Sequence, residues 1–143
     1  MPYHYLEDVA IADIAFVAEG RDLEETFIAA AEATLNVMVE NPEAVVAREE
    51  RSFRLENEHL DMLLFNMLQE LIYYMDAEKL MLRLGRAAIS REGGHYVLEG
   101  TARGERLDPA RHQQRADVKA VTLHQFRLDE GPEGWKATVI LDI

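Results

Sequence analysis

The sequence contains no cysteine, which at once excludes disulfides, zinc–thiolate sites, thiol nucleophiles and iron–sulfur clusters. No apolar run approaches the roughly 20 residues that a membrane-spanning helix needs. The opening residues, Met-Pro-Tyr-His-Tyr-Leu-Glu-Asp, lack the basic stretch and apolar core of a signal peptide. Positive charge is also scarce. Fifteen Lys and Arg stand against 27 Asp and Glu, a formal net charge of −12. The basic residues are dispersed, with Arg48, Arg51 and Arg54 on one segment and Arg103, Arg106, Arg111 and Arg115 on another. Without a basic stripe to displace counterions from phosphates, direct nucleic-acid binding is not expected. These absences point to a cytoplasmic protein. Its acidity suits solubility, a basic protein partner or cations.

Signatures of the common enzyme classes are missing as well. Gly93-Gly94 and the Gly131–Gly134 segment read as hairpin turns, with no following helix to cradle a phosphate. There is no Ser nucleophile elbow and no His-Glu-x-x-His run. The five histidines, at 4, 59, 95, 112 and 124, lack the close helical spacing of a zinc site. An independent enzyme is not expected.

What remains is a chain able to build one core. With 143 residues, 48% of them hydrophobic, residues 1–143 are expected to form a single domain. Residues 13–19 put Ile14, Phe16 and Ala18 on one side of a strand. Asp22 and Glu25 then form a helix start with a capping box. The helix carries Leu23, Phe27, Ala30, Ala31, Leu35 and Met38 on one face, and Asn41-Pro42 stops it. Residues 45–55 read as a half-exposed strand, and Asn57 as the cap of a second helix. Leu60, Leu63, Leu64, Met67, Leu68, Leu71 and Ile72 make that helix's stripe, a core face. Residues 79–91 and 95–103 form a hairpin, as do 118–128 and 135–142 across a longer turn, with a polar loop over 104–117 between the hairpins. The expected fold is α+β: a two-layer sandwich with a mixed, mostly antiparallel sheet of about six strands and two main helices packed on one face.

The last residues hold the most suggestive chemistry. Trp135 to Ile143 is strongly strand-forming, whereas chain ends commonly fray. The α-carboxylate of Ile143 is therefore expected to be held in place, beside the carboxylate of Asp142. Two such anions repel unless a proton or a cation separates them, and hard divalent cations take oxygen ligands of this kind. A solvated pair of terminal carboxylates is the plainer alternative. Asp13 is a lone acid in the apolar run Ile11-Ala12-Asp13-Ile14-Ala15-Phe16. It either marks the exposed start of its strand or is kept for a site; spacing alone does not put it beside Asp142. Lys119 shares a strand face with Val121 and Leu123, so its ammonium either snorkels to solvent or wants an anionic partner. His124 falls on the opposite face with Thr122 and Phe126, as a hydrogen-bonded structural histidine. Asp108 and His112 are an acid–base-capable pair in the loop.

Three segments, in order, resemble one family. They are ADIAFVAEG with DLEETFIAAA, the block LDMLLFNMLQELIYYMD, and ADVKAVTLHQF with the closing WKATVILDI. Together they resemble archease over nearly the whole chain. The most specific part is a Lys-Ala-Val-Thr strand followed by a chain-terminal Asp-Ile.

The resemblance implies a two-layer α/β sandwich and a protein cofactor for the RtcB-type RNA ligase of tRNA splicing and RNA repair. That ligase joins a 2′,3′-cyclic phosphate or 3′-phosphate end to a 5′-hydroxyl with GTP and Mn²⁺. Archease promotes guanylylation of the ligase's active-site histidine, gives multiple turnover and broadens nucleotide use. The family's metal site, seen with Ca²⁺, maps onto Asp13, Asp142 and the carboxylate of Ile143, with Mg²⁺ or Mn²⁺ as other candidate cations. The family's functionally important strand lysine maps onto Lys119. One departure stands out: the family's His-Thr-Ala-Asp run is Ala10-Ile11-Ala12-Asp13 here, so no role of that histidine or threonine carries over. The resulting expectation is a non-catalytic activator. A small metal-dependent hydrolase or nucleotide-handling enzyme using the same acids, and a general chaperone or scaffold, are the rivals.

Overall fold

The computed structural model describes residues 2–6 and 13–143. They form β1 (Tyr3–Leu6), β2 (Asp13–Gly20), α1 (Leu23–Met38), a 3-10 turn at Pro42–Ala44, β3 (Glu49–Asn57), α2 (Leu60–Glu78), β4 (Leu80–Glu92), β5 (His95–Arg106), β6 (Ala120–Gly131) and β7 (Gly134–Asp142). The α+β class is as expected. The sheet differs in detail: the seven described strands form two sheets, β1-β2-β7-β6 and β3-β5-β4. Every described pairing is antiparallel, none parallel. Nor do the helices cover one face of one sheet. Each packs against both, α1 on β2 and β4, α2 on β4 and β6. The apolar stripes of the helices thus join two sheets that share no ladder.

Local chemistry accounts for the element ends. Asp22 Oδ1 accepts from the Glu25 N–H at 2.8 Å, which satisfies one of the free donors at the start of α1. Glu25 reaches back one residue further than a capping box would, accepting from the Arg21 N–H at 3.0 Å. The second helix begins differently from expectation. His59, not Asn57, is its N-cap residue, and Asn57 Oδ1 instead accepts from the His59 N–H at 3.0 Å. The stripe of α2 is buried as expected: Leu63, Leu64, Met67 and Leu68 are fully enclosed. Strand β3 begins at Glu49 rather than 45, because Pro42–Ala44 coils first. The β6–β7 turn is tighter than expected, two residues between Gly131 and Gly134. Gly134 has φ of +133°, and a Cβ there would run into the Gly20 carbonyl. Only glycine lets that turn sit against the end of β2.

Strand β6 departs from simple alternation. Its pairing with β7 breaks between Thr122 and Arg127, where Gln125 takes a φ of +55°. This irregularity re-phases the strand. Phe126 turns inward while Leu123 is left 62% exposed. His124 is exposed too, not the hydrogen-bonded structural histidine that strict alternation suggested.

Candidate functional site

Strands β2 and β7 run antiparallel in a register that pairs Ile14 with Leu141 and Asp13 with Asp142. The same register continues into β6, where Ala120 is the other partner of Asp142 and Val121 that of Leu141. Leu141 and Val121 enter the core, with Ile14 packed against it. By the alternation of a strand, Asp13, Asp142 and Ala120 form the next row, on the opposite face. Spacing could not join Asp13 to Asp142; the β2–β7 ladder does. Directly opposed side chains share a face, with Cβ atoms about 4.5–5.5 Å apart. Both aspartates are half-buried, as is Ile143.

Like charges directly opposed in a ladder are destabilising. A cation between them would offset that repulsion. All the donors are hard oxygens, which fits Ca²⁺, Mg²⁺ or Mn²⁺ and disfavours soft metals. Among the described residues, no three His, Asp or Glu side chains gather to hold a metal ion. Ile143 lies one residue beyond Asp142 and is half-buried like it. The Ala10-Ile11-Ala12 segment, where the sequence departs from the family run, lies outside the described residues.

Lys119 lies just before β6, and its backbone N–H donates to the Asp142 carbonyl at 2.8 Å. Its side chain is exposed, not set among apolar neighbours. Of the two outcomes open for this lysine, the solvent-facing one holds. Its companions diverge because of the β6 irregularity: Val121 is buried, Leu123 is not. The lysine is thus tied by its main chain to the residue that bears the acid, with a side chain able to turn toward a partner.

Asp108 and His112 belong to a different cluster. His112 is buried, and its Nδ1 accepts from the Asp108 N–H at 2.8 Å. Its Nε2 lies 3.1 Å from Glu105 Oε2, so the Nε2-protonated tautomer donates to the carboxylate. Glu105 is only 2% exposed. It also accepts from the Val46 N–H at 2.8 Å and from Arg111 at 2.9 and 3.2 Å. The Arg111 bonds and the Val46 N–H hold its carboxyl down to about 2. The group pins the 107–119 loop, whose backbone also bonds to the end of α1 through Arg115 to Met38 and Ala116 to Val37. Sequence reading missed Glu105. It follows an Arg-Gly pair at the end of a strand and carries no periodic signal; only its partners mark it.

The model of the archease protein family matches residues 3–143. The chain belongs to the archease family. Relatives named protein archease are 37% identical in Pyrococcus furiosus, covering 92% of this chain and 93% of theirs, and 37% identical in Methanosarcina mazei, covering 99% and 95%. The solution structure of protein 1598 from Methanobacterium thermoautotrophicum superimposes with a TM-score of 0.86 at 36% identity over 99% of each chain. A crystal structure from Thermotoga maritima, described as an archease and possible chaperone, shares the fold with a TM-score of 0.57 at 21% identity over 98% of each chain. Among the described residues of this archease, no helix is long and apolar enough to cross a membrane.

Proposed function

We propose that this archease is a non-catalytic activator of an RtcB-type RNA ligase in tRNA splicing and RNA repair, promoting guanylylation and multiple turnover of that enzyme in the cytoplasm. The observation that carries the reading is the direct pairing of Asp13 with Asp142 across the β2–β7 ladder. Two directly opposed carboxylates destabilise a ladder, a cost that a bound divalent cation would offset. Asp13, Asp142 and the α-carboxylate of Ile143 would hold a divalent cation, Ca²⁺ in the family's manner or Mg²⁺ or Mn²⁺. When bound, such an ion neutralises the acids and polarises an oxygen ligand presented by the partner.

The chain's own groups supply the rest. The ladder fixes both aspartates on rigid strands, so the acids meet the ligase without a search through conformations. Lys119, anchored through its backbone to Asp142, would bring a positive charge to the same end of the sheet, suited to a phosphate of the nucleotide or a carboxylate of the ligase. The net charge of −12 favours a basic protein partner and speeds the encounter. It opposes direct contact with RNA.

Guanylate transfer to the cognate ligase, measured with and without the protein, tests this directly. Stimulation that Asp142→Ala removes is the expected result. Turnover of GTP or a phosphoester by the isolated chain would instead favour a hydrolase. Stimulation untouched by Asp142→Ala, with no cation bound in calorimetric titration, would favour a general scaffold.

A further inference from the structure

Strands β5, β6 and β7 carry their core-facing rows past the end of the core. Tyr96 continues the face of the enclosed Leu98, Leu128 that of Phe126, and Trp135 that of Ala137 and Val139, by the two-residue period of a strand. There the sheets leave a recess of about 310 Å³, walled by Tyr96, Leu128, Trp135 and Leu60, the first residue of α2. All four are half-buried, so the recess opens to the surface. Glu58 and Asp61 also line it, whereas among the described residues no lysine or arginine does.

Both acids have unused oxygens. Glu58 is exposed, lies outside every strand in the turn before α2, and has no ion-pair partner among the described residues. Asp61 is half-buried, and one oxygen accepts from the Met62 N–H at 2.8 Å; its other oxygen has no described donor. The two rings differ. Arg91 already lies over Tyr96, 5.2 Å from the ring centroid. Among the described residues, no ring or cation stacks on the indole of Trp135.

We infer that this recess receives one arginine side chain of a partner protein. The guanidinium stacks on the Trp135 indole, the best ring for a cation, and its fork meets Glu58. The aliphatic stem lies on Leu60 and Leu128. A purely apolar side chain would cover the Asp61 carboxylate without giving it a partner. An anion, drawn by the start of α2, would meet both acids, and Asp61 already offsets the positive helix end.

The recess is remote from the acid row. Trp135 lies seven residues along β7 from Asp142, about 23 Å at strand rise. The inference therefore goes beyond the proposed function and does not rest on it.

The chain has a single tryptophan, so tryptophan fluorescence of the full chain reads this recess alone. Titration with acetyl-Gly-Arg-Gly-amide at constant ionic strength should give a saturable change in emission. The citrulline peptide, similar in shape but uncharged, should bind about five-fold more weakly. The lysine peptide should also bind more weakly, because an ammonium has no planar face to stack. Glu58→Gln should weaken the arginine peptide about three-fold, and Asp142→Asn should leave it unchanged. No saturable change, equal binding of the citrulline or lysine peptide, full affinity in Glu58→Gln, or a larger response to inorganic phosphate would overturn the assignment.

Discussion

Asp13 and Asp142, 129 positions apart in the sequence, are direct partners in the β2–β7 ladder. The pair explains why an acid can stand at the start of an otherwise apolar strand and another near the end of the last one. Each alone resembles a solvated strand end. Opposed, they bring hard oxygens together at one end of the two central strands of the four-stranded sheet.

The proposed cation site predicts linkage. A saturating divalent cation should raise the thermal midpoint, because anything binding only the folded state stabilises it, by about 2.7 kcal/mol at a hundred-fold excess over Kd. Asp142→Asn should abolish that increment. In chelator, the same variant should be as stable as the unaltered protein or up to about 1 kcal/mol more so, since it removes a like-charge contact. Thermal denaturation with EDTA or CaCl₂ reads both effects.

Lys119→Met should separate activity from stability. The side chain is exposed, and the bond to Asp142 comes from the backbone. Urea unfolding should therefore change by no more than about 0.5 kcal/mol. Stimulation of the ligase should fall several-fold, read in the guanylate-transfer assay.

Glu105 predicts an acid-sensitive increment of stability. Its carboxyl is held at about 2, below the ordinary 4.5. A carboxyl with a depressed folded-state value stabilises fully above the unfolded value and loses that contribution as pH falls toward the folded one. Glu105→Gln should cost about 3 kcal/mol at neutral pH, because Arg111, His112 and the Val46 N–H lose a charged acceptor. The gap between the two proteins should narrow as pH drops from 4.5 toward 2. Urea unfolding at a series of pH values measures it.

Much of the fold was legible because it is encoded locally. The stripe of α2, the Asp22 cap and the Gly93-Gly94 hairpin each rest on residues close in sequence. Partition into two sheets was not, since it depends on which strands leave no ladder between them. Nor was β1: four residues without a turn signal give little period to read. The β6 irregularity was hidden because Gln125 is not a residue type that advertises a left-handed backbone. His124 was consequently given surroundings that strict alternation would supply and proves exposed, whereas Lys119 takes the solvent-facing one of its two expected outcomes. At the acid row the sequence supplied the residues and the family resemblance their grouping, while the register of β2 on β7 supplied their adjacency.

The tight contact at the β6–β7 turn gives a purely structural prediction. Gly134→Ala should destabilise by about 2–3 kcal/mol, combining a positive φ with collision against the Gly20 carbonyl. Gly131→Ala, at the other end of the same turn, meets nothing within 4 Å and should change stability by less than about 1 kcal/mol. Denaturant midpoints of the two variants provide the comparison.

The most direct test of the central claim is guanylylation of the cognate RNA ligase by GTP, with the unaltered archease, Asp142→Ala, and a form bearing one glycine after Ile143. The account predicts stimulation by the unaltered protein and its loss in both variants, with the fold of each intact by circular dichroism. No stimulation by the unaltered protein, or equal stimulation by all three, would contradict it.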